Sequence, residues 1–203
     1  MATVPRPYYT EAEYLARERA ADVKSEYYRG EMFAMAGATR EHNIMVGNVV
    51  RSLGNQLAKA PCEVYPGDMR VRIPAGLYTY PDVSVACGEP KFLDREFDTL
   101  LNPKVVVEVL SVSTEAYDRG KKSEHYRTID SLAHYVLVAS DRAHVEVYTR
   151  QANQQWLLSE ATGLSATIEL PAIDCRLSLA EVCDKVVLAP EKPTGQITTP
   201  QAS

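Results

Sequence analysis

KVVVEVL, residues 104–110, sets one carboxylate, Glu108, in the middle of a valine-rich run. A short apolar run rich in β-branched residues reads as a strand buried on both faces, at the centre of a sheet. A lone carboxylate is costly to desolvate there, so Glu108 requires a cation or a strong partner. Upstream, PDVSVA at 81–86 reads as a second strand headed by Asp82, and the fixed φ of Pro81 helps aim that carboxylate at a sheet end. Two acids on neighbouring strands can share one metal ion, and Mg²⁺ takes only one or two protein carboxylates, leaving its other positions to water and phosphate. Read alone, Asp82 also fits a turn residue after proline, and Glu108 also fits a structural ion pair.

Downstream, SVSTEAYDRGKKSEHY at 111–126 brings Lys121 and Lys122 to the start of a helix expected over 119–129, within reach of a phosphate or an attacking water. HYVLVAS and HVEVYT flank Asp141-Arg142 and read as a hairpin or adjacent strands. WLLSEA and ATIEL read as a further short pair, and SLAEVCDKV as a small helix capped by Ser178. Upstream, MRVRI alternates apolar and basic side chains, the pattern of a strand with one solvated face. Val46, Val50, Leu53 and Leu57 recur at helical spacing within 41–59, opposed by Arg51, Asn55 and Lys59. KSEYYRGEMFAMAG predicts an edge hairpin turning at Arg29-Gly30, and Thr10 caps a first helix over 10–21. The expected organisation is one domain over 1–188 followed by a disordered tail, APEKPTGQITTPQAS, at 189–203.

With 203 residues, 45% hydrophobic and 24% charged, the composition is that of a globular chain able to bury a core. No apolar run reaches the length of a membrane span and the first residues turn polar early, so a cytoplasmic protein is expected. Cys62, Cys87, Cys175 and Cys183 form no CxxC or zinc-finger spacing and read as reduced, mostly buried apolar residues. A net charge of -5 argues against coating nucleic acid by charge alone, yet clustered acids are what a magnesium site needs. The 12 tyrosines are scattered and read as sheet residues.

SEYYRGEMFAMAGATREHN at 25–43, YPDVSV at 80–85, VVVEVLS at 105–111 and DRGKKSEHY at 118–126, followed by LAHYVLV, occur in an order that resembles the PD-(D/E)xK superfamily of restriction-endonuclease-like nucleases. More closely, the chain is similar over residues 8–187 to the bacterial Uma-type restriction endonuclease family. That resemblance implies an α/β fold of mixed α+β type, with a central mixed sheet flanked by helices and an N-terminal helix and hairpin. It implies a Mg²⁺-dependent DNA endonuclease, with Mn²⁺ as substitute, acting as a homodimer. Asp82 and Glu108 become metal ligands and Lys122 the catalytic lysine, because Asp118, Lys122 and Tyr126 follow the family's spacing by fours. The wider superfamily places its lysine two residues after the strand acid; Leu110 stands there, so the lysine comes from the following helix. Glu26 matches an additional metal contact, with Glu31 as the competing choice.

Lys121, His42 and Tyr126 are candidate substrate contacts, set against a solvated helix face, a cap and core packing respectively. His125, His134 and His144 are assigned no role. Two other readings stay open: a non-catalytic nucleic-acid-binding or assembly protein that keeps the nuclease fold, and a structural ion-pair network joining the acids to Lys121 or Arg119.

Overall fold

The computed structural model describes residues 7–111 and 113–188, and the tail expected at 189–203 lies outside them. Helix α1, Glu11–Arg19, starts at a capping box: Thr10 Oγ1 accepts from the Glu13 amide while Glu13 returns a carboxylate to the Thr10 amide at 2.8 Å. Strands β1 (Ser25–Tyr28) and β2 (Glu31–Ala34) form the expected hairpin. Its turn needs glycine at position 30, where φ is +95° and an added Cβ would lie 2.2 Å from the Tyr8 ring. Helix α2, Arg40–Leu57, begins at Thr39, whose hydroxyl accepts the His42 amide.

The strands that follow are β3 (Cys62–Pro66), β4 (Arg70–Ile73), β5 (Leu77–Thr79), β6 (Val83–Cys87), β7 (Thr99–Leu100) and β8 (Val105–Leu110). Next come α3 (Glu115–Tyr117), a π-helical turn over Asp118–Lys122, and α4 (Ser123–Tyr126). The chain continues through β9 (His134–Ala139), β10 (His144–Arg150), β11 (Trp156–Thr162), β12 (Thr167–Leu170), β13 (Cys175–Ser178) and α5 (Leu179–Val182). A six-stranded sheet runs β11-β10-β9-β8-β6-β3 and a five-stranded sheet β2-β1-β5-β4-β7, with β12 and β13 as a separate pair. The six-stranded sheet is mixed, because β8 pairs parallel to β9 and antiparallel to β6.

Every residue of β8 is buried, as its valine run predicts. Val105, Val107 and Val109 pack with Met45, Val49 and Leu53 of α2. Val106 and Leu110 point the other way, into a cluster with Tyr126, Tyr135 and Leu137. Glu108 shares their parity, so the alternation of the strand directs its carboxylate toward the segment that carries Lys122.

Several expectations change. The helix expected over 119–129 starts earlier and stops at Tyr126, its middle widened into a π turn, a feature that sequence periodicity does not encode. The basic face of MRVRI is only half solvated: Arg72 is partly exposed, but Arg70 is 2% exposed, held by Thr99 and Asp98. WLLSEA does not pair with ATIEL, since β11 follows β10 from Arg150↔Trp156 to His144↔Thr162 and β12 pairs with β13. The buried stripe of α2 centres on Met45, Val49 and Leu53, while Val46 and Val50 lie at its margin. Cys62 and Cys87 form a disulfide, against the reduced state expected for all four cysteines. They face each other across the β3–β6 ladder with Cα atoms 4.0 Å apart, a juxtaposition that a separation of 25 residues does not reveal. Cys175 and Cys183 are buried free thiols.

Candidate active site

The β6–β8 register pairs Val83 with Val107, so one further step sets Asp82 beside Glu108. Asp82 is oriented through one oxygen: Oδ2 accepts from the Val109 amide at 2.7 Å and lies 3.1 Å from His42 Nε2. Burial lowers the His42 pKa, but the Asp82 carboxylate beside it outweighs this and holds the ring above its usual value. His42 thus supplies both a capped backbone at the start of α2 and a side chain on Asp82.

Glu108 is 4% exposed and its Oε1 takes two contacts, the Lys122 ammonium at 2.8 Å and the Tyr126 hydroxyl at 2.7 Å. Lys122 Nζ lies 3.5 Å from Glu26 Oε1 and 3.4 Å from Asp118 Oδ1. Glu26 also accepts a short hydrogen bond from the Thr79 hydroxyl, which ties β1 to β5 at the site. Of the two acids weighed for the N-terminal contact, Glu26 meets Lys122, and Glu31 lies in β2 across from Tyr28. Tyr126 packs against Tyr135 as well as donating to Glu108, so core packing and a site contact coexist in one side chain.

Carboxylates outnumber the cation, and protonation reflects it. Burial pushes Glu108 up to about 8 against the pull of Lys122, with Asp82 and Asp118 adding to the rise. Burial also raises Asp118. Desolvation opposes the charge on Lys122, but Glu108, Glu26 and Asp118 together raise its pKa. Both members of the Glu108–Lys122 pair therefore bind protons more firmly than usual, as an acid-rich buried pocket requires. The buried Asp118 Oδ1 has the Lys122 ammonium, at 3.4 Å, as its ion-pair partner.

Asp118 is the residue missed by sequence reasoning, which used it only to set the spacing to Lys122. The signal was there: positions four apart on a helical segment share a face. Lys121 is exposed, and Arg119 pairs with Glu115 at 3.0 Å and with Glu146, so neither joins Glu108 as the structural alternative required. The residue that does join it is Lys122. Among the described residues, the group of three or more His, Cys, Asp or Glu whose ligand atoms converge within 4.8 Å is His144, Glu146 and Glu160, not the expected set. Arg119 already neutralises Glu146 there. His134, also without an expected role, is fully buried and accepts the Ala172 amide, with burial lowering its pKa to about 4.

Residues 11–180 match the Uma2 family, described as "Putative restriction endonuclease". The chain belongs to the Uma2 family. Two Synechocystis relatives agree over most of their length. The uncharacterized protein sll1609 is 40% identical over 161 residues, 79% of this chain and 91% of the relative. The uncharacterized protein slr1290 is 35% identical over 157 residues, 77% and 82% of the two chains. The fold matches the crystal structure of "a putative nuclease belonging to DUF820" from Anabaena variabilis, with a TM-score of 0.68 and 18% identity, covering 84% of this chain and 95% of the other. The mixed-sheet α+β class expected from the sequence is thus the one observed. No helix among the described residues is long and apolar enough to cross a membrane.

Proposed function

We propose that this Uma2 protein is a Mg²⁺-dependent DNA endonuclease whose metal is held by Asp82 and Glu108, with Glu26 contributing and Lys122 as the catalytic lysine. The reading is carried by one observation: a single buried lysine lies against Glu108, Glu26 and Asp118, with Asp82 on the next strand. Three carboxylates share one ammonium and the fourth, Asp82, has His42 beside it, so acids outnumber fixed cations in a low-dielectric site. The donors are all hard oxygens, which suit Mg²⁺ and Mn²⁺. The ion would polarise the phosphoryl group and favour ionisation of water.

The chain's own part is positioning. His42 and the Val109 amide fix one oxygen of Asp82, and Tyr126 fixes one oxygen of Glu108. The Lys122 ammonium has three donors. Glu108 engages it closely, whereas Glu26 and Asp118 are longer contacts, so donor capacity remains for a phosphate oxygen as negative charge develops. A two-fold pair of chains would present two such sites to the strands of a duplex.

The test is calorimetric titration of Mn²⁺ into metal-free wild type and Asp82→Ala, with supercoiled plasmid nicking measured on the same samples. Binding and nicking that both disappear in the variant support the assignment. A folded wild type that neither binds Mn²⁺ nor nicks DNA returns the protein to the non-catalytic reading.

A further inference from the structure

Beside the acid cluster, the same strand and helical segment assemble a surface of the opposite character. The Tyr28 and His125 rings meet with centroids 4.8 Å apart, and the Arg29 guanidinium carbon lies 5.2 Å from the Tyr28 ring centre. Lys121 stands four residues before His125, and both Lys121 and Arg29 are exposed. Burial lowers the His125 pKa; Lys121 and Arg29 lower it further, and Glu124 opposes them.

The location follows from periodicity. Glu26 and Tyr28 are two apart on β1 and share a face, while Lys122 and His125 are three apart on the helical segment. The Glu26–Lys122 and Tyr28–His125 contacts are therefore successive rungs of one seam between strand and helix. Two residues of strand put the second rung about 7 Å from the first.

Arg29 is also an unusual choice for its backbone position. It has φ +47° and Gly30 has φ +95°, so both central residues of the two-residue hairpin turn are left-handed. Asn-Gly or Asp-Gly suits such a turn, and an arginine there is strained. Gly30 is explained by its contact with Tyr8, but no backbone demand explains Arg29. Its guanidinium is instead carried out over an aromatic ring next to the site.

We infer that Arg29 and Lys121 bind the phosphates next to the scissile one, and that the Tyr28–His125 ring pair receives a base or sugar of the same strand. The inference rests on the nuclease reading and adds to it the side on which the nucleic acid lies. Cationic groups beside stacking rings suit a polynucleotide, whose every residue offers a phosphate and a ring face. A protein of net charge -5 with an acid-rich centre needs such a local patch to hold a polyanion at all.

The experiment measures binding of a fluorescein-labelled 20-base-pair duplex by anisotropy, from about 50 to 200 mM salt, in the Asp82→Asn background so that cutting does not intervene. Arg29→Asn and Lys121→Ala are each expected to weaken binding about three- to tenfold and to reduce the salt slope by about 1, the signature of one lost phosphate contact. His125→Ala is expected to weaken binding about fivefold or more with the slope unchanged, as lost stacking does. Arg29→Asn should also raise Tm, because asparagine suits the turn. If the background protein binds and wild type nicks, yet these variants bind as tightly with the same slope, the inference is overturned and the nuclease reading stands. A fall in Tm for Arg29→Asn with unchanged binding assigns the guanidinium to packing on Tyr28 and also overturns it. If wild type neither nicks nor binds the duplex, the nuclease reading fails and this inference goes with it.

Discussion

Two buried cations, Arg70 on β4 and Lys122 at the end of the π turn, sit among carboxylates and are partnered in contrasting ways. Arg70 donates through Nε to the Thr99 hydroxyl and through Nη1 to the Tyr80 oxygen, each at 2.9 Å, and pairs with Asp98 through Nη2. The surrounding acids have donors of their own: Arg19 binds Asp98 and Asp94, and Glu18 Oε1 accepts from Tyr80 and the Ser25 amide. Hydrogen bonds from Arg19 hold Asp94 and Asp98 below the usual carboxylate range. Around Lys122 the balance is reversed. One ammonium serves three contacting carboxylates, and Glu108 and Asp118 are pushed up rather than down. A set of acids matched by fixed donors is a fastening. A set that exceeds them is where the proposed metal would be held.

The contrast is most easily broken by exchanging the consequences. Asp82→Asn removes one proposed ligand charge at nearly constant shape, and nicking should fall by about 10³-fold or more, a loss above about 4 kcal/mol in barrier terms. Activity within tenfold of wild type would remove Asp82 from the site. Arg70→Leu should do the reverse: stability drops by about 3–5 kcal/mol, because Asp98 and the Tyr80–Glu18 pair lose their buried partner. Its nicking rate per folded molecule should match wild type. Urea unfolding read beside nicking settles which network fastens and which reacts.

Proton linkage sharpens the comparison. The Glu108 folded pKa lies above its unfolded value, at about 8. The stability it contributes is therefore complete below about 4.5 and lost as pH rises through about 8. Asp98 has the opposite sign: its folded pKa is depressed, so its contribution is present above about 4 and lost as pH falls. In metal-free buffer, Glu108→Gln should gain on wild type between pH 5 and pH 8 by on the order of 3 kcal/mol. Asp98→Asn should instead lose more ground at pH 7 than at pH 3. Stability differences that stay flat with pH in both variants would mean that the two networks titrate alike.

The sequence exposed one of these networks far better than the other. Glu108 announces itself as a charge inside a valine run, and Pro81-Asp82 heads the adjoining strand, so the paired acids and much of the six-stranded sheet follow from local pattern. Arg70 was read as facing solvent because alternation in MRVRI is all that a local window offers. Its partners are Thr99, Tyr80 and Asp98, which only tertiary structure brings together. The Cys62–Cys87 bridge was missed for a related reason, since a cross-strand pair is defined by register rather than spacing. Asp118 lay within reach of local pattern, four residues from Lys122.

Metal provides the gentlest test, because it perturbs no side chain. An ion that binds the folded state alone stabilises it by about 2.7 kcal/mol at 100 times its Kd, which for a domain of this size raises Tm by roughly 5–10 °C. Mn²⁺ should therefore raise the Tm of wild type and of Arg70→Leu alike, since Arg70 binds Thr99, Tyr80 and Asp98 rather than the acids around Lys122. Asp82→Asn should show no such shift. The cluster of His144, Glu146 and Glu160 supplies the control, because its ligand atoms already converge. If the Mn²⁺ shift survives Asp82→Asn and vanishes in His144→Ala, the ion sits on β10 and β11 beside Arg119, and the excess acids around Lys122 are balanced by retained protons instead.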